Sequence, residues 1–134
     1  GLLNLKYYQQ EIEARKKVAA KYKERLDEIK GISYLEDKPN VKYNYAYFPI
    51  IVEDSFSKSR DGLLVELNKK NVYPRKYYSL CSDYDCYNED QTRMGKLLNA
   101  EYIAKRILVL PIYGKLSDEE VDYICDVIQF VNED

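Results

Sequence analysis

The chain contains no histidine and no tryptophan, and its 134 residues include only one methionine and three cysteines. Histidine is the commonest general base in enzymes and the commonest metal ligand in proteins. Its absence therefore argues against most conventional hydrolase chemistry. Tyrosine, in contrast, is abundant, with 15 residues.

Long apolar runs and concentrated charge of one sign are also absent. No apolar run approaches the ~20 residues that span a bilayer, and no basic-then-apolar signal segment opens the chain. The 21 basic and 23 acidic residues are well mixed and give a net charge of −2, whereas nucleic acids and anionic membranes attract a concentrated basic field. We therefore expect a cytoplasmic protein that binds neither nucleic acid nor membrane.

The composition is that of one ordinary globular domain. Apolar residues make up 46% of the chain and charged residues 33%, unlike a disordered segment. A chain of this length can bury about two-thirds of its unfolded surface. No internal repeat or linker divides it, so residues 1–134 are expected to form a single domain.

The three cysteines do not make a convincing metal or disulfide framework. Cys81 and Cys86 are separated by four residues, at the wide end of zinc-knuckle spacing. A closed structural zinc site needs four ligands, and the sequence offers neither a second pair nor a histidine. We expect reduced thiols in a loop for this pair and a small core residue for Cys125.

The beginning of the chain resembles the middle of a longer protein. The single methionine is Met94, and Gly1 is followed directly by the apolar residues Leu2, Leu3 and Leu5. We expect a piece of a larger polypeptide, in which these leucines form an apolar face that docks on another domain.

Apolar spacing in the first half predicts two helices and one strand. Residues 5–30 carry apolar residues, Tyr8 among them, at three- and four-residue intervals, which predicts a long helix ended by Gly31. Residues 41–52 are rich in tyrosine and β-branched residues and predict a strand, which Pro49 places at a sheet edge or bends. A second helix follows, capped by Ser57 or Ser59, and Asn71 suits a left-handed residue at its end.

The second half predicts a short extended run over residues 72–78 and a surface loop over residues 79–93, followed by a helix, a strand and a helix. Asn99 is expected to cap a helix over residues 100–105, and residues 107–110 are expected to form a buried strand. Ser117 and Glu120 form a capping box for the last helix. The fold class is therefore α/β, an α+β sandwich with a small, mainly antiparallel sheet of three or four strands.

Two short motifs deserve comparison as candidate sites. Ser55 and Lys58 match the S-x-x-K pattern, but Lys58 stands in a charged, solvated setting and we interpret the match as chance. Glycine-rich phosphate loops are absent. The run Arg75-Lys76-Tyr77-Tyr78 combines a guanidinium, which can bind phosphate, with hydroxyls that can donate to phosphate or sugar. The alternative for this run is an exposed sheet edge with snorkelling side chains.

The chain as a whole resembles the C-terminal third of the DegT/DnrJ/EryC1/StrS family of sugar-nucleotide aminotransferases. The matching segments are collinear: Arg15, Ala19 or Ala20, Tyr22 and Leu26 in the first helix, then Y-A-Y-F-P-I, R-D-G-L-L, N-V-Y-P-R-K-Y-Y, N-A-E, and L-V-L-P-I-Y followed by L-S. Asn71 replaces the family's usual glycine. Residues 79–82, where many members carry a histidine, read S-L-C-S, which leaves the sugar contact of this loop open.

The resemblance implies a small domain of a pyridoxal-phosphate (PLP) enzyme that moves an amino group, usually from glutamate, to a nucleotide-linked ketosugar. It implies that the lysine that binds PLP belongs to a large domain upstream of Gly1, so that this chain alone binds no PLP and is inactive. It assigns Arg75, Tyr77 and Tyr78 to substrate binding and implies a homodimeric parent. Two alternatives stay open: a dehydratase of the same family, and a stand-alone binding module.

Overall fold

The computed structural model describes residues 2–77, 79–90 and 97–133, except for the side chains of Leu3 and residues 88–90. Its elements follow the chain in the order helix, two strands, helix, two short 3₁₀-helices, helix, strand and helix. Their bounds are α1 (Leu2–Leu26), β1 (Ile32–Tyr34), β2 (Phe48–Val52), α2 (Arg60–Lys69), the 3₁₀-helices Cys81–Asp83 and Asp85–Asp90, α3 (Leu98–Arg106), β3 (Ile107–Leu110) and α4 (Asp118–Glu133).

Helix α1 is confirmed, but its ends differ from the prediction. It starts at Leu2, and its described side chains up to Gln10 are exposed, Tyr8 included, because this half extends past the core. It ends at Leu26, where the chain turns back and buries Ile29 in the core. The Ile29 N–H donates a hydrogen bond to the Leu26 carbonyl in this turn. Gly31 does adopt a left-handed conformation, with φ of 84°, but it closes this turn rather than the helix.

The sheet has three antiparallel strands in the order β1-β2-β3. Of the two alternatives for the strand around Pro49, the position at a sheet edge is wrong, because β2 lies in the middle of the sheet. Pro49 pairs with Val109, whose N–H and C=O both bond to Arg75 on the opposite side. The proline nitrogen therefore faces β1, which has already ended at Tyr34. No ladder bond is lost there, which explains how the sheet tolerates a central proline.

The predicted strand over residues 41–52 is correct only from Phe48 onward. Asn40 and Tyr45 have positive φ angles of 65° and 48°, which break an extended conformation. The Tyr45 hydroxyl donates to Asp37 at 2.8 Å, so this segment folds onto the preceding turn instead of lengthening β2.

The helix boundaries after β2 confirm some predictions and correct others. Ser59 caps α2, accepting from the Gly62 N–H at 3.2 Å, and Asn71 is left-handed with φ of 59°. Asn99 is not a cap, because α3 already begins at Leu98. At the other end of α3, Arg60 donates to the carbonyls of Ala104 and Ile107, which ties this end to α2.

The later segments also divide between confirmed and corrected predictions. The capping box of α4 is confirmed by reciprocal bonds between Ser117 and Glu120 at 2.9 and 3.2 Å, and β3 matches its predicted bounds. Of the extended run predicted for residues 72–78, the described part, residues 72–77, contributes a single β-bridge, at Arg75, rather than a strand. The predicted loop after them contains the two 3₁₀-helices.

The core lies between one face of the sheet and the helices. Along β2 the burial alternates, with Phe48, Ile50 and Val52 inward. The largest side chains with almost no exposure come from every layer: Tyr22, Leu26, Ile50, Leu63, Leu67, Leu108, Leu110, Val121, Cys125 and Ile128. This arrangement confirms the α+β sandwich. No helix in the described part of the chain is long and apolar enough to cross a membrane.

We predict that Gly31→Ala destabilises the fold by about 2 to 4 kcal/mol, since it combines left-handed strain with overpacking. A Cβ at Gly31 would lie 2.5 Å from the backbone nitrogen of Phe56, which cannot move freely. Gly114→Ala is the control, because its Cβ would meet only the carboxylate at the end of the Glu11 side chain, which can turn aside, and no backbone atom. Urea unfolding measures both. Equal stability of the two variants would contradict the prediction.

Candidate functional site

A cleft of about 300 Å³ lies beside the outer edge of β3. One of its walls is formed by the end of β3 and the three residues that follow it, up to Tyr113. Its rim is aromatic and cationic. The rim side chains are Tyr47, Tyr73, Arg75, Tyr77 and Tyr113.

The backbone fixes Arg75 at this edge. Its N–H donates to the Val109 carbonyl at 2.9 Å, and its carbonyl accepts from the Val109 N–H at 2.8 Å. This pair forms an isolated antiparallel bridge. The segment around Arg75 therefore extends the three-stranded sheet by one rung, which brings the predicted Arg-Tyr cluster against β3.

The rim side chains contact one another. Arg75 donates from Nη1 to the Tyr77 hydroxyl at 3.1 Å, and the rings of Tyr47 and Tyr77 meet edge-to-face with centroids 5.7 Å apart. The bond to Tyr77 raises the pKa of the exposed Arg75 guanidinium, which stays cationic. An arginine framed by tyrosines can bind a phosphate or carboxylate and stack on a planar ring.

The structure brings together some of the predicted site residues. Arg75 and Tyr77 both line the cleft, whereas Tyr78 falls outside the described residues. Lys76 instead forms an ion pair with Asp61 at 3.3 Å. Substrate binding by Arg75, Tyr77 and Tyr78 stays a prediction from the family motif.

Sequence reasoning missed three tyrosines of the rim as site residues: Tyr47, Tyr73 and Tyr113. Tyr47 and Tyr113 are far from Arg75 in the sequence, so spacing does not join them, whereas Tyr73 lies two residues before Arg75 with Pro74 between them. The only signal was that each of them falls within one of the collinear motifs.

The Arg75 cleft does not offer the groups that hold pyridoxal phosphate. Such a cofactor needs a lysine for an imine and an acid for its ring nitrogen. The S-x-x-K lysine, Lys58, forms an ion pair with Glu66 at 3.7 Å beside α2. Among the described residues that line the Arg75 cleft there is neither a lysine nor a carboxylate.

The cysteines follow their predicted distribution. Cys81 and Cys86 are exposed and Cys125 is buried, and none of the three is in a disulfide. Burial raises the pKa of the Cys125 thiol to about 12, so it remains protonated in the core. In the part of the chain that the structure describes, no cluster of three acidic or thiol side chains could hold a metal ion.

A second polar cluster joins α3 to the sheet away from the cleft. Glu53 accepts hydrogen bonds from Tyr102 and from Ser33, the latter at 2.7 Å. Arg106 lies over the Tyr102 ring, 4.0 Å from its centroid, and forms a two-bond pair with Asp54 at 2.7 and 2.8 Å. These contacts attach α3 to β1 and to the residues that follow β2, which is a structural role.

Comparison with known proteins assigns the chain to a family. The DegT/DnrJ/EryC1/StrS aminotransferase family model matches residues 1–129. The chain belongs to the DegT/DnrJ/EryC1/StrS aminotransferase family. The family is PLP-dependent, and the resemblance that the motifs indicated is confirmed.

Two curated relatives are dTDP-4-amino-4,6-dideoxy-D-glucose transaminases. The Escherichia coli protein is 36% identical over 123 residues, which are 90% of this chain and 33% of the relative. The Shigella dysenteriae protein is 32% identical over 133 residues, which are 96% of this chain and 35% of the relative. The chain thus spans about one third of the length of these relatives.

A solved relative shows the same fold. Spr1654 from Streptococcus pneumoniae, in its PMP form, superimposes with a TM-score of 0.87 at 26% identity. The match covers 99% of this chain and 34% of that protein, which has also been solved in its PLP form.

We predict that Glu53→Gln reduces the loss of stability in acid. The bonds from Tyr102 and Ser33 hold the pKa of Glu53 below its ordinary value. Because folding lowers its pKa, the ionised Glu53 stabilises the fold above the unfolded-state pKa of about 4.3. This stabilisation is lost as the pH falls from that value through the folded-state pKa. Urea unfolding between pH 7 and pH 3 should show a shallower decline for Glu53→Gln.

Glu28→Gln is the matched control, because Glu28 is an exposed residue of the turn after α1. It should retain the acid-side decline of the unmodified chain. An unchanged decline in Glu53→Gln would show that the cluster contributes nothing to the pH dependence.

Proposed function

We propose that this chain is the C-terminal small domain of a PLP-dependent sugar aminotransferase. The parent enzyme would transfer an amino group, from glutamate, to a nucleotide-linked ketosugar. The single observation that carries this proposal is the coincidence of the family match over residues 1–129 with a cationic, tyrosine-rimmed cleft. The names of the two curated relatives support a dTDP-sugar as substrate class.

In this proposal the cleft forms one wall of the nucleotide-sugar pocket. Arg75 is suited to the diphosphate, because a guanidinium binds phosphate oxygens through paired hydrogen bonds. Tyr77 donates from a phenol that is already oriented by Arg75, and Tyr47 and Tyr113 offer ring faces. We assign Tyr78 to the same site from its motif alone.

The groups that hold and activate PLP would come from a large domain of the same polypeptide. That domain would supply the PLP lysine and the acid that pairs with the ring nitrogen, and the parent would be a homodimer. The exposed apolar end of α1 supports such docking, since Leu2 is 87% and Leu5 is 67% exposed. This chain would then close the active-site cleft and exert no catalysis alone.

The proposal is tested on the complete coding sequence. A segment of about 250 residues upstream, a domain-sized length, carrying an S-x-x-K motif followed by glycines, would support it. The expressed full-length protein should then transfer the amino group of glutamate to a dTDP-linked ketosugar. A start codon within a few residues of Gly1 would favour a stand-alone binding module. Loss of the sugar hydroxyl without amination would assign the parent to the dehydratases.

We predict that Arg75→Ala weakens binding of dTDP to the full-length protein by about 10- to 100-fold, the range for losing a charge-assisted hydrogen bond. Tyr77→Phe should weaken it by about 3- to 10-fold. Isothermal titration calorimetry measures both.

The neighbouring cation provides the control. Lys76→Ala removes a positive charge whose ion pair is with Asp61, outside the cleft lining. Its dTDP affinity should stay within about twofold of the unmodified protein, since exposed pairs contribute little. Equal losses in Arg75→Ala and Lys76→Ala would indicate general electrostatic attraction rather than a site.

A further inference from the structure

One wall of the Arg75 cleft is held from outside the cleft. This wall consists of residues 111–114, which follow β3: residues 111–113 line the cleft, and Gly114 ends the segment outside the lining. Ile112 also packs against the core. The wall has no regular secondary structure of its own, so its position depends on the packing of Ile112 and on the hydrogen bonds at its two ends.

Helix α1 supplies one side-chain hydrogen bond at each end. At the start of the wall, the Tyr22 hydroxyl donates to the Pro111 carbonyl at 2.9 Å. At its end, the Gly114 N–H donates to Glu11 Oε1, also at 2.9 Å. Tyr22 and Glu11 are eleven residues apart, about three helical turns, and therefore lie on the same face of α1. Neither side chain lines the cleft.

The glycine at the end of the wall fits this contact. Gly114 is not left-handed, so its backbone conformation does not require a glycine. A Cβ at this position would lie 2.5 Å from Glu11 Oε2. The absence of a side chain at Gly114 thus allows the carboxylate to reach the backbone. Glu11 itself is held towards this position by Arg15, whose Nε lies 3.5 Å from Oε1.

We propose that Glu11 and Tyr22 are positioning residues of the Arg75 cleft. They hold residues 111–114 in place through two hydrogen bonds and never touch the ligand. The functional meaning of this inference rests on the proposed nucleotide-sugar site, whereas the positioning itself is a property of the fold. Loss of either bond lets Tyr113 move relative to Arg75 and lowers affinity without removing any group that contacts the ligand.

The first test measures dTDP affinity of the full-length protein by calorimetry. Glu11→Ala should weaken binding by about 3- to 10-fold, the effect of one lost hydrogen bond. Glu11→Gln should restore it to within about twofold, because an amide oxygen accepts the same bond. Glu13→Ala, two positions away on the exposed side of α1, removes the same charge and should leave affinity unchanged.

Gly114→Ala tests the same contact from the other partner. Its methyl group displaces the Glu11 carboxylate and should weaken binding to a similar extent. Because both changes break one contact, the double variant should lose less than the two single losses combined. Independent, additive effects would overturn the proposal, as would equal losses in Glu11→Ala and Glu13→Ala.

Tyr22→Phe tests the other contact while keeping the buried ring. It should weaken dTDP binding. Tyr34→Phe should not, because it removes a hydroxyl that is bonded to Asp27 rather than to the cleft wall. Urea unfolding first establishes that both variants are folded. If both lose affinity equally, the effect is loss of stability rather than positioning.

A second readout separates this inference from the proposed function. In the 134-residue chain, the NMR signals of the Ile112 methyl groups and the Gly114 amide should shift in Glu11→Ala and return in Glu11→Gln. If the unmodified protein does not bind dTDP, the proposed function fails, and these signals alone decide the positioning. Unchanged signals in Glu11→Ala would overturn it.

Discussion

The buried phenol of Tyr22 joins the core of the molecule to its cleft. Its ring has no exposure and stacks on Phe48 of β2, with centroids 4.9 Å apart. A buried hydroxyl must find a partner, and this one donates to the carbonyl of Pro111, where β3 has just ended. Burial raises the pKa of Tyr22, so the group stays a protonated donor. One side chain therefore fixes α1, the central strand and the cleft wall relative to one another.

Caps and turns that depend on a few neighbouring residues could be predicted from the sequence. Features that depend on the order and pairing of the strands could not. The capping box at Ser117, the cap at Ser59 and the left-handed Asn71 each depend on a few neighbouring residues, and the structure confirms all three. The position of the Pro49 strand in the sheet could not be predicted, because a central strand tolerates a proline only where its nitrogen faces no ladder partner. The strand before Phe48 was overextended because Tyr45 bonds to the preceding turn rather than to a neighbouring strand.

The same distinction applies to the cleft. Arg75 and Tyr77 are two residues apart and could be singled out together, whereas Tyr47 and Tyr113 reach them only through the bridge between Arg75 and Val109. The resulting surface offers a cation, hydroxyls and ring faces for binding. Along its described lining it offers no carboxylate or amine for proton transfer. Such a surface suits a wall that shapes a ligand pocket completed by another domain.

The central claim is that this chain shapes a pocket while the lysine that holds PLP lies elsewhere in the polypeptide. The most direct measurement is borohydride reduction of the full-length, PLP-loaded protein, followed by peptide mapping. The account predicts a phosphopyridoxyl group on a lysine outside these 134 residues. Stoichiometric modification of Lys58, the lysine of the S-x-x-K motif, would contradict it.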